Sequence, residues 1–441
     1  MNKINIAVDV FSYTKNIWSV SDYSGEQIYS KLALPLFRHR NEALELFSVK
    51  SFEQRDDQII INLRDDLYWS NGERVTAHDY ARAINYIMRT EKNRYQKLLL
   101  SVIRHPVGVE VIENNVLLIN TSWYDPFIVH YLSLINFSPM HISDLNLHAG
   151  PYKIKKMSEE ICELEPNSFF CGDKDEGWVE YINYILLSSD PEACAFHRGD
   201  VHVSCDTSLD LHRYRQSLQK ADFHQGSETL VMLLSPGNKF NELPFDILQL
   251  TSCAVDRLKI SALYDSMLEP VESWLSFYKQ SFYECDFPPA CRRSSSVEVD
   301  VAFEDFYPNK EILQHLAAQL SCYNVILNLH EDKYGCWVND CHFRFEIRKI
   351  PKNSPIQLIR SDVSRLPKSA VCYNEMKKEY SKLYLLENKH RLLDIFKTVD
   401  LFLRQQVLYI PLFIFPTGYF CHPKINASSL MLPGSRIIIR E

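Results

Sequence analysis

The chain has 441 residues, 46% hydrophobic and 24% charged, with a formal net charge of -8. This is the balance of an ordinary globular protein large enough for two or three lobes, and it excludes a nucleic-acid binder, which needs a basic face. Only 12 glycines argue against a Gly-rich phosphate loop, and no apolar run approaches the roughly 18 residues of a membrane-spanning helix.

In chain order, residues 4–8 (Ile-Asn-Ile-Ala-Val) open as a strand straight after Met1, Asn2 and Lys3, without the charged and then apolar run of a secretory leader. Residues 58–63 have the β-branched, apolar character of another strand. Asn71 and Gly72 tolerate the positive φ of a tight reversal. Thr76 stands three residues ahead of Asp79, an acidic variant of the capping box. Behind it, Tyr80, Ala83, Ile84 and Ile87 fall on one helical face. Gly150, Pro151 and Tyr152 turn into a strand that Leu164, Glu165, Pro166 and Asn167 continue. Residues 193–201 form a helix closed by Gly199. A strand from Leu230 to Ser235 is followed by Pro244-Phe245-Asp246 and Ala254-Val255-Asp256-Arg257. Residues 388–404 have the pattern of a long amphipathic helix, and Ile410, Pro411 and Leu412 open the strand after it. Residues 287–296 and 353–367 carry the Pro and Ser clusters of loops.

Strand, Trp69-bearing turn and capped helix in this strict order resemble the signature of family 5 bacterial solute-binding proteins, the peptide- and nickel-binding components of ABC importers. The resemblance continues through the Gly150, Gly199, Leu230 and Ile410 segments. It implies an α/β fold: two lobes of the periplasmic-binding-protein type (type II, cluster C) with an extra small α/β domain. On that pattern residues 1–30 begin lobe I, 31–149 form small domain II, 150–225 return to lobe I, 226–415 form lobe III, and 416–441 close lobe I with a strand over 436–440. Residues 94–105, 117–120 and 123–134 are also similar to the leaderless solute-binding module of sugar-phosphate-stress regulators.

The family pattern places ligand contacts at Tyr13, Trp18, Ser235, Arg344, Phe345, Phe415 and Tyr419, whereas Trp69 belongs to the packing of domain II. Two departures bear on the ligand. Ser235 stands where the family has an Asn, and residues 343–349 lack the Asp that peptide-binding members present to the ligand's amino terminus. Arg344, Arg348 and Lys349 in that stretch suit an anionic ligand, with the wet face of an edge strand as the favoured alternative.

Candidate reactive groups are sparse in pattern. Cys336, Cys341 and His342 have zinc-ligand types without a completing pair. Cys194 and His197 read as a core thiol beside an exposed imidazole. His141, Asp144 and His148 lie close along the chain, and neither a G-x-S-x-G elbow nor an H-E-x-x-H helix occurs. The expected function is therefore non-catalytic: a monomer, without cofactor or metal, that closes two lobes over a short peptide or similar polar solute and hands it to an ABC permease. A free-standing sensor of an anionic or sugar-like ligand reporting to a regulatory partner is one alternative. A carrier of a biosynthetic intermediate is the other. Twelve cysteines suit a reducing compartment, so cytoplasmic placement is expected. A periplasmic or cell-surface site is the alternative if a leader segment has been removed.

Overall fold

The computed structural model describes residues 1–440 apart from 41–42, 56, 92, 123–124, 126–127, 173–176, 189, 191–192, 209, 227–228, 274–292, 336–339, 351–399, 402 and 405–406. The expected helix over 388–404 and the loops at 287–296 and 353–367 fall wholly or mostly outside the described residues.

Strand β1 (Lys3–Val8) pairs in parallel with the strand Tyr181–Leu186. That strand runs antiparallel to Ile161–Pro166, which in turn pairs with Tyr152–Met157. Four strands thus form one sheet although about 150 residues of chain separate its first strand from the rest. Helix α1 (Tyr23–Ser30) follows β1, with the Asp22 side chain accepting the Gly25 N–H as its N-cap. At its other end Lys31 is fully buried, and its Nζ donates to the Ser429 and Leu432 carbonyls at 2.8 and 3.2 Å, which ties the C-terminal segment to this lobe. The expected closing strand at 436–440 is not formed as a strand. Ile438 and Ile439 make isolated bridges to Trp178 and Ile425 instead.

The small α/β domain has a four-stranded sheet in the order Val49–Gln54, Gln58–Leu63, Val116–Asn120, Val109–Glu113. Helix α2 (Ala77–Arg89) covers it, opened by the expected box: the Thr76 N–H donates to Asp79 Oδ2 at 2.8 Å. Tyr80, Ala83, Ile84 and Ile87 are all 0% exposed, as the periodicity requires. Gly72 has φ of +88°, and the turn it makes closes with Trp69 buried against the His141 ring.

The third body is a six-stranded sheet in the order Glu269–Pro270, Ile410–Phe415, Thr229–Pro236, Phe343–Ile350, Val297–Glu304, Val325–Asp332. Its central strand, Thr229–Pro236, is paired on both edges and buried on both faces, which suits its unbroken apolar run. This sheet has a hydrophobic core separate from the one shared by the first sheet and the small domain. A two-stranded ribbon, Phe223–Gln225 with Gly418–Phe420, joins the bodies. Beside it Val203 bridges both Ile6 and Cys421.

Candidate functional site

The loop after β1 and helix α1 face the ends of the strands Val325–Asp332 and Phe343–Ile350 across a seam between the two larger bodies. From the first body come Asp9, Tyr13, Asp22 and Glu26. The second body offers Glu304, Tyr334, Arg344, Glu346 and Lys349. Contacts cross directly: Lys349 Nζ lies 3.2 Å from Glu26 Oε2, and the Tyr13 and Tyr334 rings meet edge to face at 6.1 Å.

Carboxylates dominate the seam. Asp9, immediately beyond β1, accepts from Thr207 Oγ1 at 2.7 Å and Ser24 Oγ at 3.1 Å. Asp206, on the connecting segment, accepts from Tyr23 Oη at 2.6 Å and Gln27 Nε2 at 2.8 Å. Burial pushes the Asp206 carboxyl up to about 6, with the nearby Asp9 charge adding to the shift. Burial likewise raises Asp9, Asp22 and Glu304 above the usual carboxylate range. The Tyr334 ionisation is pushed far up by burial and by the Asp22, Glu304 and Asp9 charges.

The cations of the second body are engaged by neighbours. Arg344, 3% exposed, lies 2.7 Å from Asp332 Oδ2 and 3.5 Å from Glu304 Oε1. Arg348 Nε sits 2.6 Å from Glu346 Oε2, with the guanidinium over the Tyr409 ring. Arg94, at the margin, donates to the Ser21 carbonyl at 3.2 Å. Beside Asp206, a cavity of about 30 Å³ lined by Gln27, Tyr184, Ser204 and Tyr419 has room for a water molecule.

The residues expected to contact ligand divide into two groups. Tyr13, 41% exposed, lies on the seam with its hydroxyl bonded to Ser21. Ser235 and Arg344 are register partners, and the Ser235 hydroxyl donates to Glu346. Tyr419 lies in the joining ribbon, stacked on His224 and lining the cavity beside Asp206. The other three are corrected by their packing. Trp18 is 2% exposed with Nε1 donating to the Ser138 carbonyl at 2.9 Å, and Phe345 and Phe415 are each 2% exposed in the core of the six-stranded sheet. The wet edge-strand reading of 343–349 fails at Phe343 and Arg344, which pair with strands on both sides, and the Arg344 and Arg348 side chains are buried. Cys194 is exposed rather than in the core, Ala195 supplying the buried face of its helix, while His197 is exposed as expected. His141 Nε2 pairs with Glu73 at 2.7 Å, and its Nδ1 accepts backbone N–H groups from Ser143 and Asp144. Cys336 lies outside the described residues, among which no group of three His, Cys, Asp or Glu side chains is placed to hold a metal.

Sequence reading missed Asp9, Asp22, Asp206 and Tyr334. Asp9 carried one usable signal, its place at the end of the first strand.

Two bodies with separate cores are thus joined by a ribbon and meet at a polar seam. Residues 47–246 match the family described as bacterial extracellular solute-binding proteins, family 5 Middle. The match covers a little under half of the chain. The likeness in fold extends over the whole chain: the structure superposes on Haemophilus influenzae OppA in complex with RPPGFSPFR at a TM-score of 0.84 and 14% identity, covering 100% of this chain and 99% of that one. It superposes on the Escherichia coli murein tripeptide binding protein MppA at 0.81 and 12% identity, again over 100% and 99%. Against the unliganded open form of MppA the TM-score is 0.66, at 12% identity over 100% and 98%. No curated protein sequence matches the chain. The likeness to these structures shows the α/β two-lobed fold of periplasmic binding proteins.

Proposed function

We propose that this protein acts as a monomer that closes its two lobes over a small polar ligand bearing an amine, a short peptide being the best fit, and delivers it to an ABC permease. The observation that carries the reading is the charge of the seam. Asp9, Asp22 and Asp206 lie buried with neutral donors, while Arg344, Arg348 and Lys349 are each set against a carboxylate. An incoming cation would relieve the cost of the buried carboxylates, whereas an anion would first have to break existing pairs. That weighs against the anionic or sugar-like ligand of the sensor alternative and against a regulator module. Contacts on both bodies would make closure depend on the ligand, since a ligand shifts the lobes only by its preference for the closed state.

For compartment, Cys171, Cys194, Cys253 and Cys322 are free thiols exposed at the surface. They support a reducing environment, where such thiols persist.

Isothermal titration of the dialysed protein with short peptides tests the ligand class. Peptides with a free amino terminus should bind, and their N-acetylated counterparts should bind at least tenfold more weakly, the equivalent of about 1.4 kcal/mol. Equal affinity, or preference for sugar phosphates, would overturn the amine assignment.

A further inference from the structure

We infer that His39 and His130 form an acid-sensitive clasp between the paired strands Phe37–Arg40 and Ala43–Leu46 and the helix Ile128–Tyr131, closed while both imidazoles are neutral and released when the pair takes up protons. The rings are 91 residues apart in the chain and meet through nitrogen, with His130 Nδ1 and His39 Nε2 at 3.2 Å and the ring planes 14° from parallel. His39 Nδ1 is buried and has no hydrogen-bond partner. A bare lone pair is less costly in such a place than an orphaned N–H, so His39 carries its proton on Nε2 and donates it to His130 Nδ1. A further proton then has two poor places to go. On His39 Nδ1 it is buried without an acceptor, and on His130 Nδ1 it sets two N–H groups head to head.

The charges around the clasp do not favour an imidazolium. Arg38 and Arg40 flank His39 on its own strand. Glu45, on the paired strand, lies 3.0 Å from Arg38 Nε and 3.5 Å from Arg40 Nε, so guanidinium groups already engage its carboxylate. Glu53, on the next strand Val49–Gln54, pairs with Arg55. On the helix side Asp125 favours a charged His130, but burial and the neighbouring His39 outweigh it. Burial likewise lowers His39. An opened pair therefore takes up protons near the ordinary value of 6.5, and the closed pair only at lower pH. The clasp contributes fully above that value and is lost as pH falls below it. Its release is felt further off, because Arg38 lies over the Phe47 ring at 4.4 Å and donates to Ser435 Oγ at 3.1 Å, in the C-terminal segment that Lys31 ties to the first body.

Hydrogen–deuterium exchange of the full chain, corrected for the intrinsic pH dependence of exchange, tests this. Relative to α2, the wild-type segments 37–40, 43–46 and 128–131 should lose about tenfold in protection between about pH 7.5 and about pH 5. His39→Gln offers His130 an N–H but cannot titrate in this range, and its protection should change by less than about twofold. Equal wild-type protection at both pH values, or the same loss in His39→Gln, overturns the clasp. Should His39→Gln lose its cooperative melt, the nitrogen NMR shifts of the wild-type imidazoles decide. Coupled titration of His39 and His130 below the ordinary value is expected, and two independent titrations at that value overturn the clasp.

Discussion

Asp206 concentrates the chemistry of the seam in one side chain. It sits on the segment that joins the bodies, its backbone carbonyl accepts the Gly418 N–H from the returning ribbon at 3.2 Å, and its carboxylate holds Tyr23 and Gln27 of α1. Burial favours the protonated form, so the folded state binds a proton that the unfolded chain releases above its ordinary value of 3.8. The stabilising contribution of Asp206 is therefore fully present below pH 3.8 and is lost as pH rises through about 6, beyond which it is flat. Asp206→Asn should abolish this component, raising the melting temperature relative to wild type more at pH 7.5 than at pH 4. Parallel pH profiles of Tm for the two proteins would refute the assignment.

At the scale of elements, α2 was written plainly in the sequence. Its cap, its apolar stripe and the preceding Asn-Gly reversal are local signals, settled within a few turns of chain, and the structure reproduces each one. Ile84 is 0% exposed at the centre of that stripe. Ile84→Ala should cost about 2–5 kcal/mol in denaturant unfolding, the range for an emptied core position; a loss below 1 kcal/mol would mean that the helix is not packed as described. The strand Phe343–Ile350 was legible as a strand, but its alternating charges suggested water on one face, whereas Arg344 and Arg348 are buried and Phe343 and Arg344 pair on both sides. Those charges are instead absorbed by Asp332, Glu304 and Glu346. Pairing on both sides comes from strands distant in sequence, which no local pattern reports.

The whole molecule depends on such distant meetings. Lys349 and Glu26 are 323 residues apart, and the Tyr13 and Tyr334 rings meet across a similar stretch. Family resemblance conveyed the two-lobed architecture because its signatures are strung along the chain, but ligand contacts could be placed only by analogy. Ser235, Arg344, Tyr13 and Tyr419 fell on or near the seam and the joining ribbon, whereas Trp18, Phe345 and Phe415 were absorbed into cores where an aromatic ring stabilises more than it would in a wet cleft. The seam itself was illegible: a carboxylate such as Asp9 or Asp22 acquires meaning only when the other body closes over it.

Native mass spectrometry of the protein purified from its own host, followed by denaturation to release any bound molecule, tests the central claim most directly. A small amine-bearing solute, leaving only on denaturation, is the result the charge of the seam predicts. A bound sugar phosphate or another amine-free anion would contradict it.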